Sequence, residues 1–180
     1  MFWLKWTATG AAALILAAFL GAYVLPREPE VTRSINIAAP RAVVFALVAD
    51  LRHLPRWLPL LAADPNIAIA FTGPLDGVGQ VITWESKRRQ IGSAVERITA
   101  IEPERSVEMN VARSGRAPTD AWFRLTVTGT NQTTVVWGFR QDLGFSPVAR
   151  YRGLSFDSVI GPDYERGLAR LKAVAEALPQ

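Results

Sequence analysis

The stretch INIAAPRAVVFALVADLRHLPRWLP, residues 35–59, decides how the chain must be built. Ile35 and Ile37 continue an alternation begun at Val31 and Arg33, the period of a strand with one mostly apolar face. Pro40 ends that alternation and suits the first turn of a helix. Val44, Leu47, Val48 and Leu51 then fall at i, i+3, i+4 and i+7, which is a one-sided helix. Pro55 and Pro59 cannot sit in a helix interior without cost. HLPRWLPLL must therefore be a short second helix or turn, with Trp57 between its prolines.

Downstream the pattern changes in kind. NIAIAFT (66–72), QVITWES (80–86), QIGSAVERITAI (90–101), SVEMNVA (106–112), DAWFRLTVTG (120–129) and TTVVWGFRQD (133–142) are rich in β-branched and aromatic residues with period-2 features. The segments between them, GPLDGVG, KRR, EPER, RSGRAPT and TNQ, carry turn chemistry. Short connectors between consecutive strands predict an antiparallel meander. Gly161-Pro162-Asp163 predicts the start of a C-terminal helix, along which Ile160, Tyr164, Leu168, Leu171, Ala175 and Leu178 form one stripe. The expected order is β-α-α, six strands, then α. A sheet with one apolar face must cover it, and a long C-terminal helix laid across a curved sheet does so. The strand-helix-helix opening then plugs one edge of the gripped sheet and forms the mouth of any space left between sheet and helix.

The 180 residues suit one domain plus an appendage, and 49% hydrophobic content excludes a disordered chain. There is no cysteine and a single histidine, His53, so the sequence predicts no cofactor and no metal. The net charge of +4 arises from scattered arginines, with Lys87-Arg88-Arg89 the one run. A nucleic-acid binder gathers such charges into a stripe, so no nucleic-acid partner is expected. Trp6–Leu25 contains no charge, and twenty helical residues span about 30 Å, the thickness of a hydrocarbon core. Leu20 spoils the best signal-peptidase site, after Ala22. The reading is an uncleaved single-pass transmembrane helix over residues 6–25, in contact with the bilayer. Domain boundaries are drawn at 1–30 for anchor and tether and 31–180 for a monomeric domain. The balance of Lys5 and the amino terminus against Arg27 puts that domain on the non-cytoplasmic side.

RSINIAAPRAVVFALVADLRHLPRW, FTGPLDGVGQVITWES, ERITAIEP, TTVVWGF and YRGLSFDSVIGPDYERGLARLKAVAE together resemble the START-like (SRPBCC) superfamily, and within it the polyketide cyclase/dehydrase type. The resemblance implies an α+β helix-grip fold with a hydrophobic cavity. It leaves the activity open, because relatives include lipid carriers, plant ligand-binding proteins and aromatase/cyclases, and function must be argued from the site.

Trp84 and Trp137 are the tryptophans expected to face the cavity, because their strand-mates are Ile82, Val135 and Phe139; Trp122 is the third on a strand. Gly167, on the closing helix, allows either a close backbone approach or room for a ligand. Trp84, Val135, Trp137, Phe139 and Gly167 form the expected ligand-binding set, with no catalytic residue assigned. Glu85, Glu96, Asp120 and Asp142 are possible buried acids for which a surface position is the default. His53 is expected to be dispensable. The glycines of TGPLDGVGQ precede a strand rather than a helix, which fits a hairpin and not a phosphate loop. These features favour binding or carriage of a small apolar ligand, lipid or polyketide/isoprenoid-like. A cyclase/dehydrase-type enzyme acting in the same cavity, and a structural module with a filled core, are the alternatives.

Overall fold

The computed structural model describes residues 10, 14 and 16–178. Seven strands form one antiparallel sheet: β1 (Glu30–Ile37), β2 (Ala68–Thr72), β3 (Val81–Glu85), β4 (Ser93–Glu102), β5 (Ser106–Arg113), β6 (Thr119–Gly129) and β7 (Gln132–Arg140). Their order across the sheet is β1-β7-β6-β5-β4-β3-β2. The meander of six strands is therefore continuous, and β1 closes on its far edge by pairing with β7. This is the expected α+β helix-grip arrangement, with a long C-terminal helix over the sheet.

The opening stretch behaves as its prolines require. Helix α1 (Arg41–Ala49) buries Val44, Leu47 and Val48, and a 3-10 turn (Leu51–His53) follows. Two one-turn helices, α2 (Leu54–Trp57) and α3 (Pro59–Ala62), then carry Pro55 and Pro59 in their first turns, where a missing N–H costs nothing. The tight succession drives Trp57 inward, where it is 1% exposed and its Nε1 donates to the Leu47 carbonyl at 3.3 Å. The fully buried Gln80 ties the β2–β3 loop to this plug. Its Oε1 accepts from the Leu51 N–H at 2.7 Å, and its Nε2 donates to Asp50 Oδ1 at 2.7 Å and to the Leu75 carbonyl at 2.9 Å.

The C-terminal part differs from expectation. Helix α4 (Pro147–Gly153) precedes the long helix, which is α5 (Phe156–Glu176) and starts five residues before Gly161. Ser146 caps α4 by accepting from the Ala149 N–H at 3.3 Å, with Pro147 in the first turn. Pro162 lies inside α5, and the carbonyl it leaves without a helical partner is that of Ser158, an exposed residue that water can serve. Gly161 is buried because Arg33, from β1, passes beneath it. The Arg33 guanidinium donates to Asp157 Oδ1 at 2.8 Å and to Glu165 Oε1 at 2.7 Å, pinning α5 to the sheet edge.

The expected single-pass membrane helix is corrected. Among the described residues no helix is long and apolar enough to cross a membrane. Residues 6–9, 11–13 and 15 of the expected span lie outside the described residues. Residues 16–21 are helical, and the helix gives way to a 3-10 turn at Ala22–Val24. The run then docks on α4 instead of continuing. The Tyr151 hydroxyl donates to the Ala18 carbonyl at 2.8 Å, and Arg150 Nη1 donates to the carbonyls of Tyr23 and Leu25, each at 3.3 Å. The membrane localisation and its orientation fall with that helix.

Candidate functional site

The inner face of the sheet, under α5, divides into two regions. On the β6–β7 side aromatic rings fill the space. Trp137 stacks on Tyr164 of α5, with centroids 3.8 Å apart, and on Phe123 at 5.1 Å. Trp57 meets both Trp137 and Phe123 edge-on, at 5.7 and 5.8 Å. Phe139 lies 5.9 Å from Tyr164 and from Phe156. A Cβ on Gly167 would stand 2.6 Å from a ring carbon of Trp137, so Gly167 is a close-approach position.

On the β3–β5 side the inner face carries polar groups. Two adjacent cross-strand rows define it. One runs Ile69, Trp84, Ala94, Arg113, and the other Phe71, Ile82, Glu96, Val111, Thr119. Strands lie about 4.8 Å apart, so Trp84 and Arg113 rise on either side of the Ala94 methyl about 10 Å from one another. Glu96 stands next along β4. Trp84, Glu96 and Arg113 are thus grouped around Ala94 as a polar niche of the inner face, and Tyr164, stacked on Trp137, lies within reach of the charges of Glu96 and Arg113.

Trp84 Nε1 is buried and has no hydrogen-bond partner among the described residues. Glu96 is 7% exposed. Glu96, Arg113 and Tyr164 feel one another's charge, yet no side-chain hydrogen bond or ion pair joins them among the described residues. Burial pushes the Glu96 carboxyl up to about 7, with the charge of Arg113 opposing. Burial, and then the charge of Glu96, raise the Tyr164 phenol, while Arg113 acts the other way. Burial and Arg116 lower Arg113, whose guanidinium remains cationic in any ordinary buffer. The chemistry on offer is an acid near neutrality, a cation and an indole N–H around Ala94, with a phenol within reach of their charges. Among the described residues no cluster of His, Cys, Asp and Glu is placed to hold a metal ion.

The expected ligand-binding residues are split between the regions. Val135, Trp137 and Phe139 lie buried on β7, with Gly167 against Trp137. Trp84 is equally buried but stands four strands away, at the niche. Trp122 turns to the outer face and lies over Gly138, where a Cβ would come within 2.5 Å of its ring. Glu85, Asp120 and Asp142 are exposed, as the default reading has it, and Glu96 is the exception. His53 is half-buried after α1, and its ring makes no hydrogen bond among the described residues. Arg113 and Tyr164 carry no functional expectation from sequence. Arg113 follows the parity of Val107, Met109 and Val111, but it borders a turn-like segment that hides it. Tyr164 reads as one more member of a core stripe. A groove of about 650 Å³ opens elsewhere, at the β4–β5 turn, among Arg41, Glu102, Arg105, Glu108 and Arg124. There Arg41 pairs with Glu104 and Arg105 with Glu102, so its charges are largely answered.

A family model described as polyketide cyclase / dehydrase and lipid transport matches residues 28–176. No curated protein sequence matches. A solved structure from Thermobifida fusca is similar to this chain at 22% identity and a TM-score of 0.63, covering 82% of this chain and 93% of that one. The Zhui aromatase/cyclase from Streptomyces sp. R1128 is similar at 16% identity and a TM-score of 0.60, over 83% of this chain and 94% of that one. Norcoclaurine synthase from Thalictrum flavum gives 11% and 0.60, over 84% of this chain and 88% of its own. At such identities the likeness is one of fold.

Proposed function

The chain belongs to the polyketide cyclase / dehydrase and lipid transport family, and we propose that it binds a small, mostly apolar molecule between the inner face of the sheet and α5. The polar end of the molecule sits in the niche over Ala94. Trp84 forms the wall on one side, and the expected residues Val135, Trp137, Phe139 and Gly167 form the packed far boundary. One observation carries this reading: the buried indole N–H of Trp84, on the inner face, has no hydrogen-bond partner among the described residues. Burying such a group unpaired costs about 1–3 kcal/mol, so a fold with no use for it does better with an apolar residue there. Ligand sites combine apolar walls with a few convergent polar groups, which is the composition here.

Native mass spectrometry of the purified full chain tests the reading. The expected result is a retained small molecule, lost in Ala94→Leu. A chain that carries nothing, and takes up nothing from a panel of apolar acids, alcohols and ketones, leaves the structural module with a filled core. The cyclase/dehydrase-type alternative draws on a separate observation, the Glu96 carboxyl near neutrality beside the Tyr164 phenol, an arrangement able to give and take a proton. Recovery of a bound compound in chemically altered form, dependent on Glu96, decides for the enzyme. Recovery unchanged decides for the binder.

A further inference from the structure

We propose that the niche over Ala94 accepts an organic anion and that Glu96 is its gate, admitting the anion when protonated and expelling it when ionised. The proposal rests on the binding reading above and adds the chemical class of the ligand's polar end and its control.

The argument begins with the donor inventory. An indole Nε1–H only donates, and so does a guanidinium. A phenol can donate, and a protonated carboxyl supplies a further O–H. Trp84, Arg113 and protonated Glu96 are grouped around Ala94 and can all donate to one guest there, with the Tyr164 phenol beyond them. None of these donors is consumed by a neighbour within the described protein. An oxygen with lone pairs and negative charge satisfies them together, whereas an ammonium group would face Arg113 and the Trp84 N–H with nothing to offer.

Charge then supplies the gate. The groups facing Glu96 are Ile82 and Trp84 from β3, Val111 and Arg113 from β5, and Tyr164 from α5. Asp163 and Arg116 act on Arg113 from further out, with opposite signs. With Glu96 protonated, the niche carries the single positive charge of Arg113. Ionisation of Glu96 cancels that charge and turns carboxylate lone pairs toward the guest. The buried carboxyl makes the change near pH 7. An anion already charged at lower pH therefore binds on the acid side and is released as pH rises.

Two dyes with the same aromatic body test this on the full chain. 1-Anilinonaphthalene-8-sulfonate stays anionic throughout, and N-phenyl-1-naphthylamine lacks the sulfonate. Fluorescence titrations between about pH 6 and pH 8.5 should show the sulfonate dye weakening by up to about tenfold per pH unit above 7, the limit for one linked proton. The neutral dye should bind with little change. Glu96→Gln should hold the sulfonate dye at its acid-side affinity throughout. Trp84→Phe, which keeps the shape and removes the N–H, should weaken it several-fold at acid pH. Ala94→Leu should remove it from the niche in protein that still melts cooperatively. A sulfonate dye that binds equally at both ends of the range, or a pH slope that survives Glu96→Gln, overturns the gate while leaving the binding reading in place. Dye binding untouched by both Ala94→Leu and Trp84→Phe overturns the location. If neither dye binds, the binding reading itself fails.

Discussion

The two regions of the inner face are built from the same sheet and covered by the same helix, yet they are finished differently. Around Trp137 three rings close in: Tyr164 and Phe123 stack on it, and Trp57 meets it edge-on. Three strands away Glu96 is as buried as Trp137 but has no bonded partner among the described residues. Packing can explain the first region completely, because stacked and edge-to-face aromatics in a dense core are stable by themselves. It cannot explain the second, because an apolar residue at Glu96 would be less costly to bury. The difference separates residues that hold the fold from residues that the fold holds in place.

The largest expected effect lies in the packed region. Trp57→Ala removes the edge partner of two rings and should cost about 3–5 kcal/mol, read as a large fall in melting temperature. A small effect would mean that the stack does not carry the fold, and the contrast would dissolve. The second effect belongs to the polar region and depends on pH. The Glu96 carboxyl titrates at about 7 in the native state against an ordinary 4.5. Native protein therefore holds its proton longer than unfolded chain. The stability this provides is complete below 4.5 and is lost as pH rises through 7. At about 1.4 kcal/mol per pKa unit, the loss is on the order of 3 kcal/mol. Denaturant melts at several values across that window should slope downward in wild type and lie flat in Glu96→Gln. A wild type without slope would place Glu96 in water. Third, Gly167→Ala pushes a methyl into Trp137 and should cost about 1–3 kcal/mol while leaving any niche ligand bound. The smallest change is a control outside both regions. Arg27 and Asp142 are half-exposed partners, and Arg27→Ala should cost under about 1 kcal/mol at neutral pH.

Most of the architecture was legible because periodicity and prolines report on backbone geometry directly. The β-α-α opening, the six-strand meander and the closing helix are all present. Helix α4 escaped notice although Ser146-Pro147 is a helix-start signal, because the run after it lacks a clear apolar stripe. Pro162 misled in the opposite direction: it suggested a start, and a solvent-facing proline inside a long helix proved tolerable. The N-terminal run misled more seriously. Its hydropathy said nothing about Tyr151 and Arg150, which lie far along the chain and capture its last carbonyls. The site was the least legible part. Trp84 stood out as an inward tryptophan, but Glu96 shares its parity with Ala94 and Ile98 while Val95 sits on the other face, so the inner side of β4 was ambiguous. The register of three consecutive strands, β3, β4 and β5, which the sequence does not print, is what brings Trp84, Glu96 and Arg113 around one alanine.

The pairing of β1 with β7 has a consequence for the making of the protein. The first strand emerges early in translation, but its partner follows nearly a hundred residues later. At about 5–20 residues per second, the ribosome leaves β1 waiting several seconds or more for its hydrogen bonds. During that interval the backbone of residues 30–37 is an open edge, able to pair with whatever extended chain it meets. Any message truncated before residue 132 would release a chain in that state. The sheet cannot be completed piecemeal from its amino-terminal end, and its last strand is the one that closes it.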